Sequence, residues 1–156
     1  MATNPAGERE SARDREDATT SVRALASLDE SLMQVDLTAA LEQLRGEDGF
    51  ASNGRNAMTV VKYSDLRIVL ELLRPGACIE DPRPETGGAV AIQVLSGRLR
   101  VEAEGQAVEL AGGGLAALAQ GVPSQLTALE ECAFLIWVVW AGHEGVRAER
   151  APMREP

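Results

Sequence analysis

Between Met58 and Trp140 the chain runs as short apolar or alternating stretches separated by turn residues. Across residues 66–73, Leu66, Ile68, Leu70 and Leu72 share one face while Arg67 and Glu71 lie on the other, the period-two signature of a half-buried strand. The same reading gives strands at 58–63, 89–95, 98–103, 107–110, 115–118, 125–128 and 133–140. Ser96-Gly97 and Glu104-Gly105 fit tight hairpin turns, where glycine supplies a positive φ that other residues resist. Many short strands at close spacing predict an all-β sandwich or closed barrel.

Upstream the period changes. Leu37, Ala40, Leu41 and Leu44 fall at i, i+3, i+4 and i+7, with Asp36 as N-cap and Gly46 as stop, which predicts a short amphipathic helix. A stripe this short needs something to lie on: the strand domain, or a protein partner for which helix and acidic tail would form a docking arm. Residues 47–56 are polar, with Gly and Asn, and are expected to be a linker. The stretch up to about Leu25 mixes Gly, Ser, Thr and Ala with alternating charges, and cannot bury enough apolar surface to offset the entropy of ordering. The expected organisation is a disordered tail over 1–30, helix and linker over 31–56, a β-domain over 57–141 and a flexible tail over 142–156. Trp137-Val138-Val139-Trp140 is an unbroken apolar run that implies burial on both faces. Left bare on an edge strand it would invite aggregation, so the expectation is a homodimer formed through it, or coverage by the helix.

Composition narrows the classes. At 156 residues there is room for one ordinary core; 45% of residues are hydrophobic but only 3% aromatic, so that core is aliphatic. A formal charge of -9, with no run of Lys or Arg to override it, argues against nucleic acid and against anionic membranes. No stretch approaches a bilayer span and the N-terminus lacks the apolar core of a secretion signal, so a cytoplasmic location is expected. Cys78 and Cys132, far apart and outside any C-x-x-C, read as two small buried hydrophobes.

The turn residues carry a family resemblance. Gly113, Ala119, Gly121, Ser124 and Ala128 fall in register on the five defined positions of the second cupin motif, G-x5-P-x-G-x2-H-x3-N, and Gly121-Val122-Pro123 resembles the family's turn before its histidine. Val94 to Leu99 resembles the end of the first motif, with Gly97 as its closing glycine; the glutamate position is then Val90, and the histidine positions fall on Pro84 and Thr86 or on Arg83 and Glu85. The stretch 58–140 thus resembles the cupin superfamily, and in particular short single-domain cupins of unassigned function. The resemblance implies an RmlC-like double-stranded β-helix, a jelly-roll-like barrel.

Cupins typically hold a first-row metal through three histidines and a carboxylate, because neutral imidazole suits such ions. This chain has one histidine, His143, beyond the last strand, so no cofactor or metal is expected. An oxygen-only site from Glu80, Asp81 and Glu85 is the remaining possibility, and calcium would want six to eight oxygens. At the ligand positions, Val90 and Ile92 on one strand and Ser124 and Leu126 on another would make the interior apolar with one hydroxyl. Such a space is either packed solid or a small pocket, with Arg83 and Glu85 at its rim. Ser124 lacks a partner base, Lys62 is the only lysine, and Gly112-Gly113-Gly114 lacks the ending of a phosphate loop and reads as a turn. The expected function is therefore a metal-free domain that binds a small molecule or serves as a self-associating scaffold. The alternative is a metal-independent isomerase or epimerase using Arg83 and Glu85.

Overall fold

The computed structural model describes residues 31–82 and 88–140. Its first element is helix α1 (Leu37–Gly46), started as the sequence predicts: the Asp36 carboxylate accepts a hydrogen bond from the Ala39 N–H at 3.0 Å. A second helix, α2 (Asp48–Asn53), replaces the expected linker. Its anchor is Phe50, which is buried and carries the Arg74 guanidinium 5.0 Å from its ring centroid. Gly54 closes α2 in the left-handed conformation, and the first strand starts at Arg55, three residues before the predicted Met58.

Nine strands follow among the described residues: β1 (Arg55–Lys62), β2 (Leu66–Leu73), β3 (Cys78–Glu80), β4 (Ala89–Ser96), β5 (Arg98–Ala103), β6 (Gln106–Ala111), β7 (Leu115–Leu118), β8 (Ser124–Ala128) and β9 (Cys132–Val139). They form two antiparallel sheets, a five-stranded one in the order β1-β2-β9-β4-β7 and a four-stranded one in the order β3-β8-β5-β6. Between the sheets lies one aliphatic core, with Val90, Ile92, Val94, Phe134, Ile136 and Val138 from the first sheet against Leu99, Val101, Leu126 and Ala128 from the second. A second core lies on the outer side of the five-stranded sheet. There Ala40 and Leu44 of α1 and Phe50 of α2 pack on Met58, Val60, Ile68, Leu70, Leu72, Ala133 and Leu135. The apolar stripe of α1 is thus buried on its own sheet, and β2 is covered on both faces rather than one.

Two turn and strand expectations change and one holds. The last strand is the centre of its sheet, paired along its length to β2 and β4, so it has no free edge. Ile136 and Val138 face the second sheet, Trp137 on the outer face packs partly against the helix-side cluster, and Val139 is left 49% exposed, so the run is not buried on both faces as the sequence implied. Ser96-Gly97 is a corner between sheets and not a hairpin, because β4 and β5 belong to different sheets. Gly97 is at φ 79°, and a Cβ built there falls on the Glu131 carbonyl oxygen and 2.9 Å from the Cys132 Cα, so the corner closes only over glycine. Glu104-Gly105 is a true hairpin turn with φ of 51° and 73°. Cys132 is buried, and burial first and Glu130 second push its thiol up to about 12, whereas Cys78 on β3 is exposed and accepts a hydrogen bond from the Gln125 amide. No described helix is long and apolar enough to cross a membrane.

Candidate functional site

The strand connections define two ends of the sandwich. At one end β4 turns the Gly97 corner into β5, and β8 leads into β9. At the other, β3 leads towards β4 and β7 leads through Gly121 and Pro123 into β8. This second end carries the positions to which the sequence assigned ligands. A row runs across the five-stranded sheet there: Arg67 on β2 opposite Val138 on β9, Val138 opposite Val90 on β4, and Val90 opposite Leu118 on β7. On the facing sheet, Ser124 starts β8 opposite Ala103, and its carbonyl accepts from the Asp81 N–H at 2.8 Å.

Of the expected pocket residues, Val90, Ile92 and Leu126 are 2%, 0% and 0% exposed and belong to the packed inter-sheet core. Phe134, 0% exposed, belongs to the same core. Ser124 is partly exposed and lines an open cavity of about 550 Å³, shared with Glu80, Asp81, Glu102, Glu104 and Gln125. Arg83 and Glu85 lie outside the described residues, as do His143 and both tails. No described trio of His, Cys, Asp or Glu is placed to hold a metal ion. The glutamate position is a buried valine, the histidine position of the second motif is a serine, and aliphatic side chains fill the space between, so these residues do not fit a first-row ion.

Two polar groups that the structure places on the inner face, Glu71 and Arg67, were not singled out from the sequence as site residues. Glu71 is 3% exposed and accepts from the Nε and Nη2 of Arg55 at 3.2 and 3.1 Å. Burial raises its pKa, and the hydrogen bonds and charge of Arg55 oppose the rise. Arg67, two turns of the pleat further along the same face, meets no carboxylate among the described residues. Its guanidinium carbon sits 5.4 Å from the Trp140 ring centroid and its Nε is buried without a hydrogen-bond partner. Ser124 Oγ is buried and unpartnered in the same way. The clue to these residues was the second apolar set of β2: Val69 and Leu73 share a face with Arg67 and Glu71, so that face is also interior.

No protein-family profile and no curated protein matches the chain. Solved structures do. A conserved protein of unknown function from Streptococcus pyogenes is 24% identical, with a TM-score of 0.55 over 74% of this chain and 93% of that one. A cupin superfamily protein from Desulfitobacterium hafniense is 12% identical, with a TM-score of 0.53 over 57% of this chain and 80% of that one. The Cupin_2 domain of an XRE family transcriptional regulator from Enterobacter cloacae is 17% identical, with a TM-score of 0.52 over 57% of this chain and 99% of that domain. The chain has the cupin fold, as the glycine spacing implied.

Proposed function

We propose that this chain is a metal-free, non-enzymatic cupin-fold domain that works by holding a small molecule or another copy of itself rather than by turnover. The filled interior carries the reading. Val90, Ile92, Leu126 and Phe134 occupy the space that a metal cage and its substrate would share, each no more than 2% exposed. Apolar side chains cannot ligate, and a solid core admits no reactant. Protein purified without a His tag should contain well under about 0.1 equivalent of Fe, Mn, Ni or Zn by elemental analysis. A stoichiometric transition ion would overturn the reading.

One observation favours self-association. The helices cover the β1, β2 and β9 side of the five-stranded sheet, but towards β4 and β7 its outer face bears an apolar groove of about 470 Å³ lined by Ala91, Leu115, Trp137 and Val139. Leu115 is 63% and Val139 49% exposed, and a second copy seated there would cover them. Sedimentation should find a dimer for the parent protein and a monomer for Leu115→Glu with Val139→Glu. A parent protein that sediments as a monomer at high concentration would remove the scaffold half of the proposal.

A further inference from the structure

An unpaired sheet edge is a template for another strand, and natural folds blunt such edges with charges, prolines or bulges. Three of the four edges here carry such devices. β1 bears Arg55 and Lys62 and is bulged between Thr59 and Val61, β3 ends on Glu80, and β6 carries Glu109, paired to Arg98. β7 reads Leu-Ala-Ala-Leu, with neither a charge nor a proline.

The backbone bonds say which groups of β7 face outward. Val94 of β4 accepts from the Gly113 N–H at 2.8 Å and donates to the Gly114 carbonyl at 2.9 Å, so its peptide groups point towards β7. In an antiparallel pair such residues recur at every second position, so Ile92 and Val90 bond to Ala116 and Leu118, which stand opposite them. The N–H and C=O of Leu115 and Ala117 therefore point away from β4, and among the described residues no backbone group meets them. Both faces beside this edge are apolar. Outside lies the groove of Ala91, Trp137 and Val139; inside, a slot of about 180 Å³ between β7 and β6 is lined by Val101, Ala103, Val108, Ala116 and Leu118. Val108, Leu115 and Val139 are three of the five exposed large apolar side chains among the described residues, so bare apolar surface gathers at this flank.

We infer that a second copy joins at this edge, β7 against β7 in antiparallel order, so that the two five-stranded sheets become one continuous sheet. The inference rests on the self-association reading above and says where the copies meet. A two-fold axis perpendicular to the sheet keeps like faces together, which puts a single residue on the axis. With Ala116 there, Leu115 and Ala117 of one copy exchange hydrogen bonds with Ala117 and Leu115 of the other, and every outward backbone group of the strand is satisfied. Ala119 of each copy then comes beside Gly113 of the other, at the margin of the groove. The occupant is a second copy because two chains of formal charge -9 repel unless they meet through uncharged surface, and no charged side chain lines the groove or the slot.

The test uses the full chain. Ala117→Pro removes an outward N–H at an edge position, where proline leaves the ladder to β4 intact. It should weaken the dimer by about thirtyfold in sedimentation, the size of two symmetry-related hydrogen bonds. Raising NaCl from about 50 mM to about 1 M should leave the parent dimer as tight or tighter, since no ion pair holds it. In a Cys78→Ser background that removes the exposed thiol, Ala116→Cys should form an intermolecular disulfide on mild oxidation, because the opposed residues of a non-hydrogen-bonded pair lie within disulfide reach. Ala51→Cys, exposed on α2, should not. A parent that sediments as a monomer would give the edge to another occupant, such as a strand of a different protein, and would overturn both this pairing and the scaffold half of the earlier reading. A dimer that is unchanged by Ala117→Pro, that loosens in salt, or that cross-links no better at position 116 than at 51 would overturn the edge pairing alone. The cross-link needs no proline, so the pairing stays testable even if Ala117→Pro fails to fold.

Discussion

Two arginines on the inner face of the helix-side strands behave in opposite ways. Arg55, towards the Gly97 end, grips the buried Glu71 carboxylate with two hydrogen bonds. Arg67, at the Ser124 end, lies against the Trp140 ring and has no ion pair among the described residues. The ends differ throughout in this manner. At the Gly97 end the backbone is in contact, with no room for a methyl group beside Glu131, and Arg45 of α1 reaches across to the Glu131 carboxylate at 2.8 Å. At the Ser124 end Gly121 turns with open space around it, and Asp81 and Glu104 take positive φ without being glycine. One end is closed by packing and pairing. The other keeps polar groups exposed or unanswered, as a surface built for contact must.

The two glycines break this contrast most sharply. Gly97 and Gly121 both have positive φ, so alanine strains either backbone by about 1 kcal/mol. At Gly97 it also collides with the Glu131 carbonyl, and Gly97→Ala is expected to cost about 4 kcal/mol or more. Gly121→Ala, with nothing within 4 Å, should cost only the strain. Urea denaturation of the pair measures the difference, and equal losses would mean that the corner can relax.

The next effect in size concerns the ion pair. Arg55→Met leaves a buried carboxylate uncompensated, at a cost of about 3 kcal/mol near neutral pH. Because burial raises the folded-state pKa of Glu71, the native state binds more protons than the unfolded one in the window above the ordinary glutamate value. Stability therefore falls as pH rises through that window, and without Arg55 it should fall more steeply. Denaturation midpoints for parent and variant should converge at low pH, where the carboxyl is protonated in both states. A loss that stays constant with pH would show that Arg55 acts through packing alone.

The smallest effect has the opposite sign. Ser124→Ala removes a buried hydroxyl that has no partner, and should stabilise the unliganded protein by up to about 1 kcal/mol. Destabilisation would show that the hydroxyl is satisfied in solution and weaken the contrast between the ends.

Much of this fold was legible because its signals are local. The cap at Asp36, the spacing of Leu37 to Leu44 and the alternation in Leu66–Leu73 each specify an element without reference to the rest of the chain. β3 was not legible, since three residues with only Ile79 pointing inward make no period. Helix α2 was hidden by Gly49, Ser52 and Asn53, which favour linkers, and its single anchor Phe50 is not a pattern. Strand order leaves no trace in alternation, so the central position of β9 was read as an edge. Of the candidate site, Ser124 was found through the motif register. Arg67 was missed because a charged residue on an alternating strand reads as solvent-facing until a second sheet is known to cover that side.

The placement of β9 also governs when the domain can form during synthesis. Leu66 on β2 pairs with Val139 at the far end of β9, and β4 has no other route to β2. Until the ribosome has released the stretch Cys132–Val139, the larger sheet is two separate halves, each with a long unsatisfied edge. Folding therefore waits for nearly the whole domain to emerge, and a nascent chain stalled before Cys132 would depend on chaperones to keep those edges apart.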